Sequence, residues 1–167
     1  MFTTIASFAQ EWKREADMTS GLLDALTDGS LDRQVAEGRR TLGGLAWHLV
    51  TSIQFMGSLG LSIDGLGDGE GGSGKYSAVE LAAAYRTISD SFLAAIQAQW
   101  TDDDLSVTVP IAGEAWENGA SLRFALMHQA HHRGQMTVLM RQAGLRPPGL
   151  YGPTYETWIE QGMAPRE

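Results

Sequence analysis

The chain contains no cysteine. That single absence rules out a disulfide framework, thiolate-held zinc and a cysteine nucleophile. Long apolar runs are also missing: no stretch approaches the roughly 20 consecutive apolar residues of a membrane-spanning helix. Positive charge is scarce, with 12 Lys and Arg against 20 Asp and Glu and a formal charge of −8. A surface of that sign repels phosphate backbones, so direct nucleic-acid binding is disfavoured. The opening Met1-Phe2-Thr3-Thr4-Ile5 lacks a basic n-region followed by a long apolar one, and a cytoplasmic location is expected. Histidine is rare as well. There are four in 167 residues, and three of them fall within five positions.

What is present has the balance of a soluble globular domain, 43% hydrophobic and 19% charged. No internal repeat or break in composition divides the chain, so a single domain over 1–167 is expected. Helical spacing marks four long segments, near 3–27, 41–59, 77–100 and 119–144. Ile5, Phe8, Trp12, Leu22 and Leu23 trace the first apolar stripe, and Thr27-Asp28-Gly29 ends it. Thr41 caps the second, with Leu42, Leu45, Leu49, Ile53 and Met56 on its buried side and His48 close to them. Ser77 and Glu80 form a capping-box pattern for the third, whose apolar face carries Leu81, Tyr85, Ile88, Phe92 and Ile96. Gly144 stands where a glycine closes the fourth. The glycine-rich run from Gly60 to Gly74 lacks the register of a phosphate loop or an EF-hand and reads as a connector.

Between the third and fourth helices the period falls to two. Leu105, Val107 and Val109 alternate with Ser106 and Thr108, Gly113 permits a turn, and Pro110 restricts the pairing to an edge ribbon. The tail from Arg146 carries Tyr151, Tyr155, Trp158 and Ile159, enough aromatic and apolar surface to pack on the body. Thr154 is placed to cap a short helix through Glu160. The expected fold is therefore all-α: a four-helix bundle with one short β-ribbon.

The fourth segment carries the chemistry. Residues four apart on a helix differ by only about 40° in azimuth, so His128 and His132 point the same way. Their side chains lean toward the helix N-terminus and can converge on one ion. His48 on the second helix fits the same inward-facing scheme. Three neutral imidazoles leave at least one coordination position open, which is the pattern of a catalytic site. His131 lies roughly 100° around the helix and is expected to face another helix, solvent or a partner, although pairing with His128 is an alternative. Gln135, one turn beyond His132, is placed to hold a histidine nitrogen or an open-site ligand.

Other signatures fail. There is no H-E-x-x-H, no H-x-x-E-H, no paired Glu-x-x-His and no G-x-S-x-G. The histidine motif contains no carboxylate base, so a hydrolytic reaction would borrow one from Tyr85, Glu80, Glu114 or Glu117.

Taken together, Leu45-Ala46-Trp47-His48-Leu49, His128-x-x-x-His132-Arg133-Gly134-Gln135 and the Tyr151-Gly152-Pro153 to Trp158 tail resemble the DinB-like (DNA-damage-inducible) proteins over essentially the whole length. The resemblance implies a four-helix bundle with a divalent metal on three histidines, matching His48, His128 and His132 here. It also implies frequent homodimers and, among some relatives, transferases or isomerases that use low-molecular-weight thiols. It implies no nuclease or polymerase chemistry. Two classes of function stay open: a metal-dependent transferase or hydrolase, and a non-catalytic metal-binding or stress-related binding protein. Zinc, nickel and iron all accept imidazole, so ligand type does not select the ion. Apolar residues on two sides of the histidine helix, Leu122, Leu126, Met136 and Met140 on one and Phe124, Met127 and Val138 on another, predict a homodimer.

Overall fold

The fold is built from four long helices whose apolar stripes meet in one core. The structure is a computed structural model describing residues 1–64 and 76–165, so most of the glycine-rich connector lies outside the described residues. In chain order the elements are α1 (Ile5–Asp24), α2 (Leu42–Thr51), α3 (Ala78–Gln99), β1 (Thr108–Ile111), β2 (Glu114–Glu117), α4 (Asn118–Gln142) and a short α5 (Tyr155–Glu160). Helices α1 and α2 each pack against both α3 and α4. That arrangement sets α2 beside α4, and so His48 beside the histidine pair. Phe8, Trp12 and Phe92 fill one end of the core, with the Trp12 and Phe92 rings 4.8 Å apart and the Trp12 indole N–H donating to Ser89 Oγ at 3.0 Å. No helix among the described residues is long and apolar enough to cross a membrane.

The expected caps at Thr41, Ser77 and Thr154 form, and Thr4 adds one that the sequence reading did not assign. Thr4, Thr41, Ser77 and Thr154 each accept from a backbone N–H in the first turn of a helix, and Ser77 and Glu80 form a full capping box. Helix ends depart from expectation in two places. The first helix stops at Asp24, not near 27, because Thr27 and Ser30 organise a separate 3₁₀ turn over Asp28–Ser30. The second is α-helical only to Thr51 and continues to Leu59 as a 3₁₀ segment. Here side chains compete for backbone carbonyls: Ser52 Oγ (3.3 Å) and Gln129 Nε2 (3.1 Å) both donate to Leu49 O, the acceptor an α-helix would offer to Ile53.

The ribbon is shorter than the alternation suggests. Leu105 does not join it, because Asp104 caps Thr101 and draws Asp102–Ser106 into a 3₁₀ turn that buries Leu105. β1 and β2 pair antiparallel from Thr108–Glu117 to Ile111–Glu114. Ala112 and Gly113, both at positive φ (51° and 87°), make the two-residue turn. The ribbon runs directly into α4. At that junction a Cβ on Gly119 would sit 2.7 Å from Phe2 O and 3.2 Å from Leu105 O, so only glycine lets the N-terminal segment and the 3₁₀ turn close over the helix start.

Polar bonds tie the tail to the body, while Tyr151, Tyr155 and Ile159 stay exposed and α5 buries no residue. Arg141 Nη2 bonds Glu156 at 3.0 Å and Arg146 Nη2 bonds Glu160 at 2.8 Å, which holds α5 to the end of α4. Leu122, Leu126, Met136 and Met140 are buried in the chain's own core, so they need no partner subunit to cover them. Phe124, Met127 and Val138 stay outside it, at 47, 60 and 53% exposure.

Candidate metal centre

The three histidines expected to converge do so. His128 and His132 project from the middle of α4, and His48 comes from the last two turns of α2. His48 Nε2 lies 3.3 Å from His128 Nε2, and His132 Nε2 lies 3.1 Å from the same atom. All three ligand atoms fall within 4.8 Å of one another.

The donor set fits a cation better than it fits hydrogen bonds among the rings. Gln135 Oε1 accepts from His132 Nδ1 at 2.8 Å, so the neutral His132 ring presents a bare lone pair at Nε2. His128 Nε2 can serve one neighbour as a donor or one as an acceptor, never both, so one of the two short contacts has no proton to share. A single ion satisfies all three lone pairs. Imidazole nitrogens about 2.0–2.1 Å from a common zinc-sized ion lie about 2.9 Å apart at right angles and about 3.4 Å apart at the tetrahedral angle. The two observed separations fall inside that interval.

Electrostatics point the same way. Burial, then the Arg40 charge, push His48 down from 6.5 to about 4. Burial lowers His128 and His132 as well, with the neighbouring rings and Arg40 adding to the effect, while the bond to Gln135 partly offsets it in His132. All three rings are neutral near pH 7, and a metal would not have to displace protons from them.

Around the triad the remaining residues divide clearly. Gln135 holds His132, and its own amide Nε2 lies 3.2 Å from His131 Nε2. His131 is exposed and outside the triad, so it does not pair with His128. Tyr85 is brought elsewhere. It is buried on α3 beside Thr19, Ser89, Glu15 and Arg133, and burial pushes its hydroxyl up to about 12. Glu80 is spent on the Ser77 cap, Glu114 accepts from the Trp116 indole, and Glu117 stands at the N-cap position of α4 without a side-chain capping bond. Neither Tyr85 nor any of these carboxylates lines the cavities that touch the triad.

Two polar residues without an assigned role in the sequence reading prove structural. Arg133 is fully buried and donates to Thr19 Oγ1 at 2.7 Å, to Glu15 O at 3.0 Å, to the Glu15 carboxylate and to the Tyr151 hydroxyl. Tyr151 in turn bonds Glu15 Oε2 at 2.6 Å, so the tail is latched to α1 through the residue next to His132. Gln129, also buried, ties α4 to the α2 carbonyl one residue beyond His48. The spacing held a signal for both that the sequence reading did not use: Gln129 and Arg133 stand on the Leu122, Leu126, Met136, Met140 stripe.

The sequence profile of the DinB family matches residues 1–163. This chain belongs to the DinB family. Among relatives, the uncharacterised protein YrdA of Bacillus subtilis (strain 168) is 42% identical over 163 residues, 98% of this chain and 97% of that protein. A crystal structure of a DinB-like protein from Bacillus cereus ATCC 10987 is 42% identical, with a TM-score of 0.83 over 90% of this chain and 100% of that one. A second, the DinB-like protein YjoA of B. subtilis, superposes with a TM-score of 0.68 over 89% of this chain and 99% of its own. At 18% identity it carries a likeness of fold alone. The triad thus lies in a DinB-type helical fold, at a point where two helices and two cavities meet.

Proposed function

We propose that this DinB-family protein is a divalent-metal-dependent enzyme in which His48, His128 and His132 hold the ion and leave at least one position open to water, a thiol or substrate. The convergence of three neutral Nε2 atoms, with separations of 3.1 and 3.3 Å, carries this reading. A divalent ion held there would lower the pKa of a coordinated thiol or water and polarise a substrate carbonyl. The chain's own contribution is orientation. Gln135 keeps the His132 proton on Nδ1, and His131 steadies the Gln135 amide. Because no carboxylate among the described residues lines the two cavities, the site favours chemistry whose nucleophile needs no protein base. Transfer of a low-molecular-weight thiol fits that requirement better than base-assisted hydrolysis does. Zinc, nickel and iron are all admissible ions.

Metal analysis of protein made without a histidine tag, followed by a thiol-transfer screen, tests the reading. The His132→Ala variant is expected to stay folded and lose most of its metal, while His131→Ala keeps it. Equal loss in both variants would show that the wrong histidines were chosen. The same reading includes a cytoplasmic homodimer, in which a two-fold partner covers Phe124, Met127 and Val138. A single sedimenting species near 18 kDa would refute the dimer.

A further inference from the structure

The triad stands between two cavities, both partly apolar, of which one also carries arginines. Along α4, residues from Ser121 to Gln129 line a cavity of about 430 Å³, and those from His131 to Leu139 line one of about 720 Å³. His48 and His128 belong to the first, His132 to the second. The walls of the first are apolar: Ile53, Phe55, Met56, Ile111, Trp116 and Phe124. Ile53, Phe55 and Met56 come from the 3₁₀ continuation of α2, and the Trp116 and Phe124 rings meet edge to face with centroids 5.7 Å apart. A volume of this size suits one small organic group.

The second cavity carries Arg39 and Arg40. Both sit on a closed loop: Leu42 N–H bonds Arg33 O at 2.7 Å, Gln34 bridges Thr41, and Arg39 N–H bonds Ala36 O at 3.1 Å. The loop fixes the backbone from which the two exposed arginine side chains line the cavity. Ion pairs among the described residues engage Arg86, Arg123, Arg133, Arg141 and Arg146, and neither Arg39 nor Arg40 has a carboxylate partner there. The Arg40 charge reaches all three histidine rings. With three neutral ligands and no acid lining either cavity, positive charge at this end of the site is uncompensated among the described residues. In a chain whose formal charge is −8, that local excess is the reverse of the surface average.

We propose that the site takes an amphipathic organic anion, its carboxylate, sulfonate or phosphate group held by Arg40 and Arg39 and its apolar body filling the cavity at Trp116 and Phe124. The proposal deepens the metal-enzyme reading by naming the substrate class, and rests on it only for where the reacting group lies. Recognition itself is carried by the two cavities.

The test is calorimetric titration of the full chain with hexanoate, octanoate, decanoate and 1-octanol, in both zinc-loaded and chelator-stripped protein. Affinity is expected to rise about fourfold per added methylene until the apolar cavity is full. 1-Octanol is expected to bind at least about tenfold more weakly than octanoate, because a charge-assisted bond is lost. Arg40→Gln should weaken every alkanoate by about tenfold and keep the chain-length trend, whereas Trp116→Ala should flatten the trend and keep the preference for octanoate over octanol. Equal binding of octanoate and 1-octanol, or an Arg40→Gln variant that binds octanoate unchanged, would overturn the proposal. So would affinity independent of chain length. The stripped protein separates the two readings. If it shows both trends while the triad binds no metal, the metal reading alone falls; if the triad binds metal and neither trend appears, this proposal alone falls.

Discussion

The Glu15–Arg133 pair offers a sharp test of how this bundle is held together. Arg133 is 0% exposed and Glu15 9%, so breaking the pair strands a charge where water hardly reaches. Removing one member of a buried ion pair typically destabilises by about 3–5 kcal/mol. In Glu15→Leu, Arg133 keeps the Glu15 main-chain oxygen, Thr19 Oγ1 and the Tyr151 hydroxyl as neutral acceptors, which places the expected loss near the lower end, about 3 kcal/mol. Arg133→Met leaves the Glu15 carboxylate with Tyr151 OH at 2.6 Å as its remaining partner, and a similar loss is expected. The double variant Glu15→Leu/Arg133→Met removes both charges and fills the space with carbon, so it should be more stable than either single variant.

Urea unfolding in the presence of a chelator is the assay, since a bound metal would add its own stabilisation to the native state. With a slope of about 2 kcal/mol/M, a 3 kcal/mol loss moves the midpoint down by about 1.5 M. Two results would refute the reasoning: a Glu15→Leu midpoint within about 0.3 M of the parent, or a double variant whose loss equals the sum of the singles. Either would mean that the pair is solvated in solution and does not bridge α1, α4 and the tail.

Three further outcomes follow from the proposed metal centre and its surroundings. Gln135→Leu should weaken metal binding by about 10- to 100-fold without unfolding the protein, measured by competition with a chromogenic chelator, because His132 loses the acceptor that fixes its tautomer. Metal-free protein should lose stability as the pH falls from 6.5 toward 4. The His48 ring, pushed down to about 4 chiefly by burial, refuses a proton that the unfolded chain accepts in that window; a flat urea midpoint between pH 7 and pH 5 would contradict it. Tyr151→Phe should increase protease cleavage of the tail after Arg146, since the hydroxyl bonded to Glu15 and Arg133 is lost, while bound metal per chain stays the same.

Much of this molecule was legible from spacing alone. The caps at Thr41, Ser77 and Thr154, the apolar stripes and the i, i+4 histidine pair are local facts, fixed by residues within a turn or two of one another. The misread ends involve atoms distant in sequence. The change of helix type after Thr51 depends on Gln129, 80 residues away from the Leu49 carbonyl it bonds. Leu105 alternates like a strand residue, but Asp104 and Thr101 wind its segment into a turn that places it in the core. In both cases the apolar pattern was correct about burial and silent about backbone geometry, because burial requires only the right face and many backbone paths supply it.

The same distinction explains the site. A polar residue on an apolar stripe is ambiguous until its partner is known, and α4 carries two such sets on different faces. His128 and His132 meet His48, offering lone pairs and no counter-charge; Gln129 and Arg133 meet the Leu49 carbonyl, Thr19 and Glu15, where almost every donor is matched. Tyr85 follows its neighbours into the second set, which is why it lies away from the histidines. The decisive feature is satisfaction. The Arg133 face is close to closed on itself: of the polar atoms of Gln129 and Arg133, Gln129 Oε1 and Arg133 Nε lack a partner among the described residues, while the histidine face presents three convergent ring nitrogens. The two sides of a single helix thus differ: one is bonded within the protein, and the other is the side on which we propose a metal ion binds.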